Sequence, residues 1–218
     1  VGYPEGHPLR GQDVIEIKHM TAKHEDILSS RSLLKSGKAL DRLITELICD
    51  KNIKSSSMLM CDRNAILISA RATGYGSDYN TKVTCPNCST VAKRTFDLNN
   101  VDVYHGDGWD ESEAEALENG NYLITLPISN FKVEVRLLKG ADEMAIFKLL
   151  NDKKKDLSLI TKQMEMFIVS VEGHEQKNVI KHFIENVPSA QSRYLREVYE
   201  KLTPSIRVTR DFECDECG

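Results

Sequence analysis

The chain has no apolar run near the roughly 18 residues that a membrane-crossing helix needs. Its start lacks the charged, apolar and small-residue succession of a secretory signal, although Val1 in place of Met and Gly218 directly after a cysteine suggest ends that are cut. It has no internal repeat and no low-complexity segment. His7, His19, His24, His105, His174 and His182 are scattered, and none forms an HExxH or a triad signature. Ser36-Gly37-Lys38 is similar to the end of a phosphate loop, but Ser32 stands where such a loop requires glycine. Concentrated positive charge is also missing. Net charge is −4, and the basic run Lys153-Lys154-Lys155 lies between Asp152 and Asp156, as in an exposed turn between helices. Each of these absences weakens a catalytic or nucleic-acid-binding reading.

What is present suits a globular chain: 218 residues, 40% hydrophobic and 28% charged, sufficient for one large or two small domains. The charge is uneven. Residues 97–118 hold eight acidic side chains and no Lys or Arg, so this stretch carries −8 and the remainder +4. It also holds the one tryptophan, Trp109, beside Gly106 and Gly108. A solvated loop is one reading of it; a docking loop with Trp109 anchoring a basic partner is the other. The carboxylates miss the alternating spacing of a calcium loop.

The most informative residues are two cysteine pairs, Cys85-Pro-Asn-Cys88 and Cys214-Asp-Glu-Cys217. Four thiolates meet the requirement of a tetrahedral structural zinc site and leave no open coordination position for water activation. Residues 89–213 separate the pairs, far more than the roughly 15–20 of an ordinary ribbon. One shared Zn²⁺ would therefore tie mid-chain to the last residues. Lys82, Lys93, Arg94 and Arg210 on the flanking segments can offset the charge of the thiolates. Independent redox pairs and unmetallated cysteines are the alternatives, but neither pair sits at the helix start that lowers a thiol pKa. Cys49 and Cys61 read as small buried apolar residues.

Periodicity places the remaining elements. Residues 13–18 alternate as a strand, and Thr21 caps a helix running to about residue 35 and stopping near Gly37. Leu40, Leu43, Ile44, Leu47 and Ile48 form one apolar helical stripe. A third helix spans 61–73, with Ile66, Leu67 and Ala70 inward and Gly74 as its stop. Arg71 emerges beside Tyr75, either as a brace stacked on Tyr75 and paired with Asp62 or as a partner-facing patch. Strands over 79–84 and 91–96 flank the first knuckle. A hairpin covers 122–126 and 131–138, and helices follow over 141–150, 157–170, 175–185 and 189–202. A closing strand over 206–212 delivers the last pair. The fold class is α+β. A helical N-terminal unit (1–76) joins a discontinuous zinc-ribbon-like module (77–140 and 204–218, with an acidic loop at 97–120) that carries a largely helical insertion (141–203).

Several of these residues carry a resemblance. Met20-Thr21 with Glu25 and Leu28 contributes to it, as do Asp62-Arg63, Ile66-Leu67, Arg71, Gly74-Tyr75-Gly76, Tyr79 and the Thr84-Cys85-Pro86-Asn87-Cys88 knuckle. So do Arg193-Tyr194-Leu195-Arg196 and the final Cys214-x-x-Cys217. Together they resemble the baseplate hub proteins of T-even-like contractile-tailed phages, over most of the chain apart from 97–120. The resemblance implies a non-enzymatic hub subunit or hub-assembly factor that contacts other baseplate and tail proteins. It also implies assembly in the host cytoplasm, with a place in the virion tail as a further expectation. It implies no membrane or small-molecule partner. The alternative is a zinc-ribbon regulator that binds nucleic acid.

Overall fold

The computed structural model describes residues 2–151, 159–207 and 213–218. The helical stripe forms as its period requires: α3 (Ala39–Leu47) buries Leu43, Ile44 and Leu47, with Ile48 just beyond, while Leu40 stays at the exposed margin. The preceding segment is two helices, α1 (Ala22–Ser29) and α2 (Arg31–Ser36), rather than the one expected. Ser30 leaves helical geometry, and the Ser29 hydroxyl donates to Glu25 O, 2.9 Å. Such serines offer the backbone competing bonds. Thr21 does start α1, its N–H donating to Nδ1 of the buried His24, 3.0 Å. Gly37 ends α2 in the left-handed region, as read. Helix α4 (Met60–Tyr75) passes through Gly74 and stops at Gly76, φ +86. Gly74 instead gives room to Met20, 3.3 Å from where a Cβ would lie. The expected strand at 13–18 reduces to one bridge, Ile17 to Ile48. These pieces enclose a first core of Leu9, Leu43, Ile44, Leu47, Ile48, Met58, Ile66 and Ala70.

Strands β1 (Asp78–Thr84) and β2 (Val91–Asp97) form an antiparallel hairpin, with Thr84 facing Val91 at the knuckle. The acidic stretch is not simply a loop. It contributes β3 (Asp102–Tyr104) and β4 (Ala114–Ala116). Next come β5 (Tyr122–Thr125) and β6 (Lys132–Val135), then α5 (Glu143–Asn151) and α6 (Leu159–Phe167). Residues 168–170, expected as the end of a helix, belong instead to strand β7 (Ile168–Val171). Its apolar, β-branched run pairs with β6, with a register shift at Glu134/Val135, and buries Ile168 and Val171. The sheet order is β4-β5-β6-β7. Two helices follow, α7 (Lys177–Asn186) and α8 (Ser189–Leu202), the latter with the bounds its apolar period implies. Strand β8 (Ser205–Arg207) pairs with β3; the rest of the expected closing strand, and Lys153 to Lys155, lie outside the described residues.

The second core joins the sheet to these helices. Ile124, Val133, Val135, Leu195 and Leu202 are fully enclosed there. The hairpin Tyr122 to Val135 and the segment 159–202 thus share one apolar interior, fed from both sides of residue 140.

Among the described residues one side chain joins the cores, and a buried charge lies on α4 beside it. Tyr3 packs against both; its hydroxyl donates to Asp62 Oδ2 at 2.6 Å and accepts the Leu59 N–H at 2.8 Å. Burial, with the bonded Asp62 carboxylate, raises the phenol's pKa. Arg63 on α4 is 1% exposed and donates to Asp41 Oδ1 (3.0 Å), to Ser55 O (2.9 Å) and to the Glu143 carboxylate. Gly140 makes room for it, since a Cβ there would lie 2.3 Å from Ser55 O and 2.6 Å from the guanidinium.

Candidate metal centre

The first knuckle is built by local hydrogen bonds. Cys85 N–H donates to Thr90 O at 2.9 Å, and Ser89 N–H donates to Cys85 O at 2.9 Å. Pro86 fixes φ inside this turn and brings no donor that would need a partner. The second knuckle closes in the same way, with Gly218 N–H donating to Cys214 O at 3.1 Å. Earlier in the chain β8 pairs with β3, and residues 213–218 lie against the hairpin at Arg94.

The four sulfurs of Cys85, Cys88, Cys214 and Cys217 lie within 4.8 Å of one another. The close contacts run between the knuckles, Cys85 to Cys217 at 3.7 Å and Cys88 to Cys214 at 3.6 Å. Both exceed a disulfide bond of about 2.05 Å by far. Cys85 and Cys214 are buried, while Cys88 and Cys217 face solvent. The cluster is therefore positioned to hold one metal ion jointly.

Its electrostatics fit that role. Backbone N–H groups of Cys88 and Asn87 lower the Cys85 pKa. The Thr90 hydroxyl and N–H, with the thiols of Cys214 and Cys217, bring Cys88 down to about 6. Asn87 Nδ2 donates to Cys217 Sγ at 3.5 Å and favours that thiolate, yet the other three sulfurs together push Cys217 up to about 11. Ionising the first sulfurs is easy; completing the set calls for a cation among them.

Arg94 fastens the second knuckle to β2. Its guanidinium donates to Glu213 O at 3.2 Å and lies 2.8 Å from Asp215 Oδ1. Lys82 and Lys93 face one another across the exposed side of the hairpin, and Arg210 lies outside the described residues. Cys49 and Cys61 are half-buried and take no part in the cluster. Burial pushes the Cys61 thiol up to about 12, which suits an inert side chain.

Arg71 and Tyr75 meet at the end of α4: the guanidinium lies 5.2 Å from the ring centroid and donates to Gly76 O at 2.9 Å. The expected Asp62 link is absent: nine positions along α4 put Asp62 on the opposite side from Arg71, where it binds Tyr3. Trp109 is half-buried, edge-on to Tyr122 at 5.7 Å, with its indole N–H donated to Gly106 O at 3.0 Å. Sequence reasoning named Asn87 and Arg63 without giving them these roles, and passed over Thr90. For Arg63 a signal existed, since a charged residue stood on the same helical side as Leu67 and Ala70.

A family model described as T4 bacteriophage base plate protein matches residues 6–218. No curated protein and no solved structure matches the chain.

Proposed function

Because the chain belongs to the T4 bacteriophage base plate protein family, we propose that it serves the central hub of a contractile-tailed phage baseplate, as a subunit or an assembly factor. Members of this family are structural. The chain works through contacts with other baseplate and tail components, and not by catalysis. Among the described residues no helix is long and apolar enough to cross a membrane. Assembly in the host cytoplasm and a place in the virion tail belong to the same proposal, as does partner contact through Arg71, Tyr75 and Trp109.

The observation that carries the reading is the family match over nearly the whole chain, ending in the second cysteine knuckle. We assign the ion of the cysteine cluster as zinc. Zn–S bonds of about 2.3 Å in a tetrahedron place sulfurs about 3.8 Å apart, close to the 3.6 and 3.7 Å between facing cysteines. When bound, zinc supplies a cross-link and no reactive position. Cys85, Cys88, Cys214 and Cys217 would hold it, and Arg94 would keep the C-terminal knuckle in reach.

The test is co-expression with the other tail proteins, followed by purification and elemental analysis. Association at a defined stoichiometry with one zinc per chain is expected. A chain that stays stably alone would overturn the hub reading, and a metal-free native chain would overturn the zinc.

A further inference from the structure

Beside β4 runs a groove of about 500 Å³, lined by Trp109, Tyr122, Ala116, Leu117, Asp107 and His105 among others. Strand β4 is the outermost strand of its sheet. The direction of its backbone groups follows from the ladder. Leu117 N–H donates to Asn121 O at 2.8 Å, so 117 and 121 form a hydrogen-bonded pair. Such pairs alternate along an antiparallel ladder. Ala114 and Ala116, facing Ile124 and Tyr122, therefore turn their N–H and C=O away from β5. The outward N–H of Ala114 is taken by Asp110 O at 3.2 Å. Among the described residues that of Ala116 has no hydrogen bond, and Ala116 is exposed beside the groove.

Charge says what fits there. Glu113 is paired with Lys201, and Asp102 lies across the ladder from Arg207. Asp107, Glu115 and Glu118 make no ion pair among the described residues. Asp107 lines the groove, while Glu115 and Glu118 flank Ala116 and Leu117 in the chain.

We propose that this groove takes an extended, Lys- or Arg-bearing segment of a partner protein, which adds to the outer edge of β4 at Ala116 and lays an apolar side chain against Trp109 and Tyr122. Edge addition supplies backbone hydrogen bonds, and the pocket and the carboxylates select the side chains. The inference rests on the contact role proposed above and specifies the partner's chemistry.

Trp109, the one tryptophan, is the reporter. The probe is an end-capped hexapeptide of alternating Lys and Val, with the Glu/Val peptide as control. The Lys/Val peptide is expected to give a saturable change in Trp109 emission, and the control none. Replacing Asp107→Asn, Glu115→Gln and Glu118→Gln together weakens binding about tenfold, as three exposed ion pairs allow. Raising salt weakens it likewise. Ala116→Pro removes only an outward N–H, a place where an edge strand tolerates proline, and abolishes binding with unchanged far-UV circular dichroism. An unresponsive Trp109, or equal responses to both peptides, overturns the proposal. So does concentration-dependent self-association that the charge variant abolishes, which gives the groove to a second copy. If these tests fail while hub association persists, only the groove inference falls. If peptide binding holds while association is lost, the hub reading falls instead.

Discussion

Ser89 and Gly218 hold the same place in the two cysteine knuckles, each just past its second cysteine and each left-handed, at φ +61 and +80. Glycine occupies that region freely, whereas an L-residue with a Cβ loses about 1–2 kcal/mol there. The shared hydrogen bond to the first cysteine imposes the geometry on the serine. Ser89→Gly should therefore stabilise the first knuckle by about 0.5–1 kcal/mol once the looser unfolded chain is counted. Chemical denaturation with metal content held constant checks this; a lowered midpoint would contradict it.

Neither Cys85 nor Cys214 belongs to either apolar core. Cys88→Ser or Cys217→Ser is accordingly expected to lose the metal and release 213–218 while both cores persist. Hydrogen exchange should accelerate in β1 and β2 and stay slow in α3 and β6. A chelator should reproduce the pattern in the unaltered chain. Loss of protection throughout would show that the cluster holds the whole fold.

The enclosed Arg63 has two carboxylate partners, Asp41 and Glu143, of which Glu143 is the more buried. Removing one member of a buried ionic set costs roughly 3–5 kcal/mol. Arg63→Met should fall toward the lower end, because Asp41 can turn to water. Gly140→Ala should also destabilise, through its clash with Ser55 O. Equilibrium unfolding of the two variants tests both statements.

Asp142 accepts two hydrogen bonds from Arg136, both 2.8 Å, and one from Lys139 N–H, 2.9 Å. Burial alone would raise its pKa, but these bonds and the two positive charges hold it below the ordinary 3.8. The unfolded chain then binds the proton more readily, so the contribution is complete above 3.8 and fades as pH falls through the folded value. Asp142→Asn should cost about 1–2 kcal/mol at neutral pH and flatten the acid side of a stability-versus-pH curve. An unchanged acid slope would count against this pairing.

Trp109→Ala should remove the edge-on contact with Tyr122 and the hydrogen bond to Gly106. For this half-buried ring a loss of about 1–2 kcal/mol is expected, below the 3–5 typical of large core aromatics. Thermal melting measures it.

The legible parts of this chain were those whose cause is local. The stripe of α3, the bounds of α8 and the tight turn at Cys85 follow from period, caps and spacing within a few residues. The meeting of the two cysteine pairs across 89–213 was legible because thiolates in CxxC steps have so few uses. What escaped depends on distant partners. Residues 168–170 continue a helical apolar pattern, and only β6 makes them a strand. The acidic stretch gives no sign that Val103 will face Ile206. Asp62 finds Tyr3 through an amino-terminal segment folded across α4, while Arg71, nine residues further along that helix, lies on its opposite side.

Tyr3 touches both apolar interiors, and its hydroxyl binds the start of α4. Tyr3 therefore acts as a seam between the two halves, and its loss is expected to let them melt apart. A substitution at Tyr3 would load that seam directly, so labels for solution work belong elsewhere on the surface.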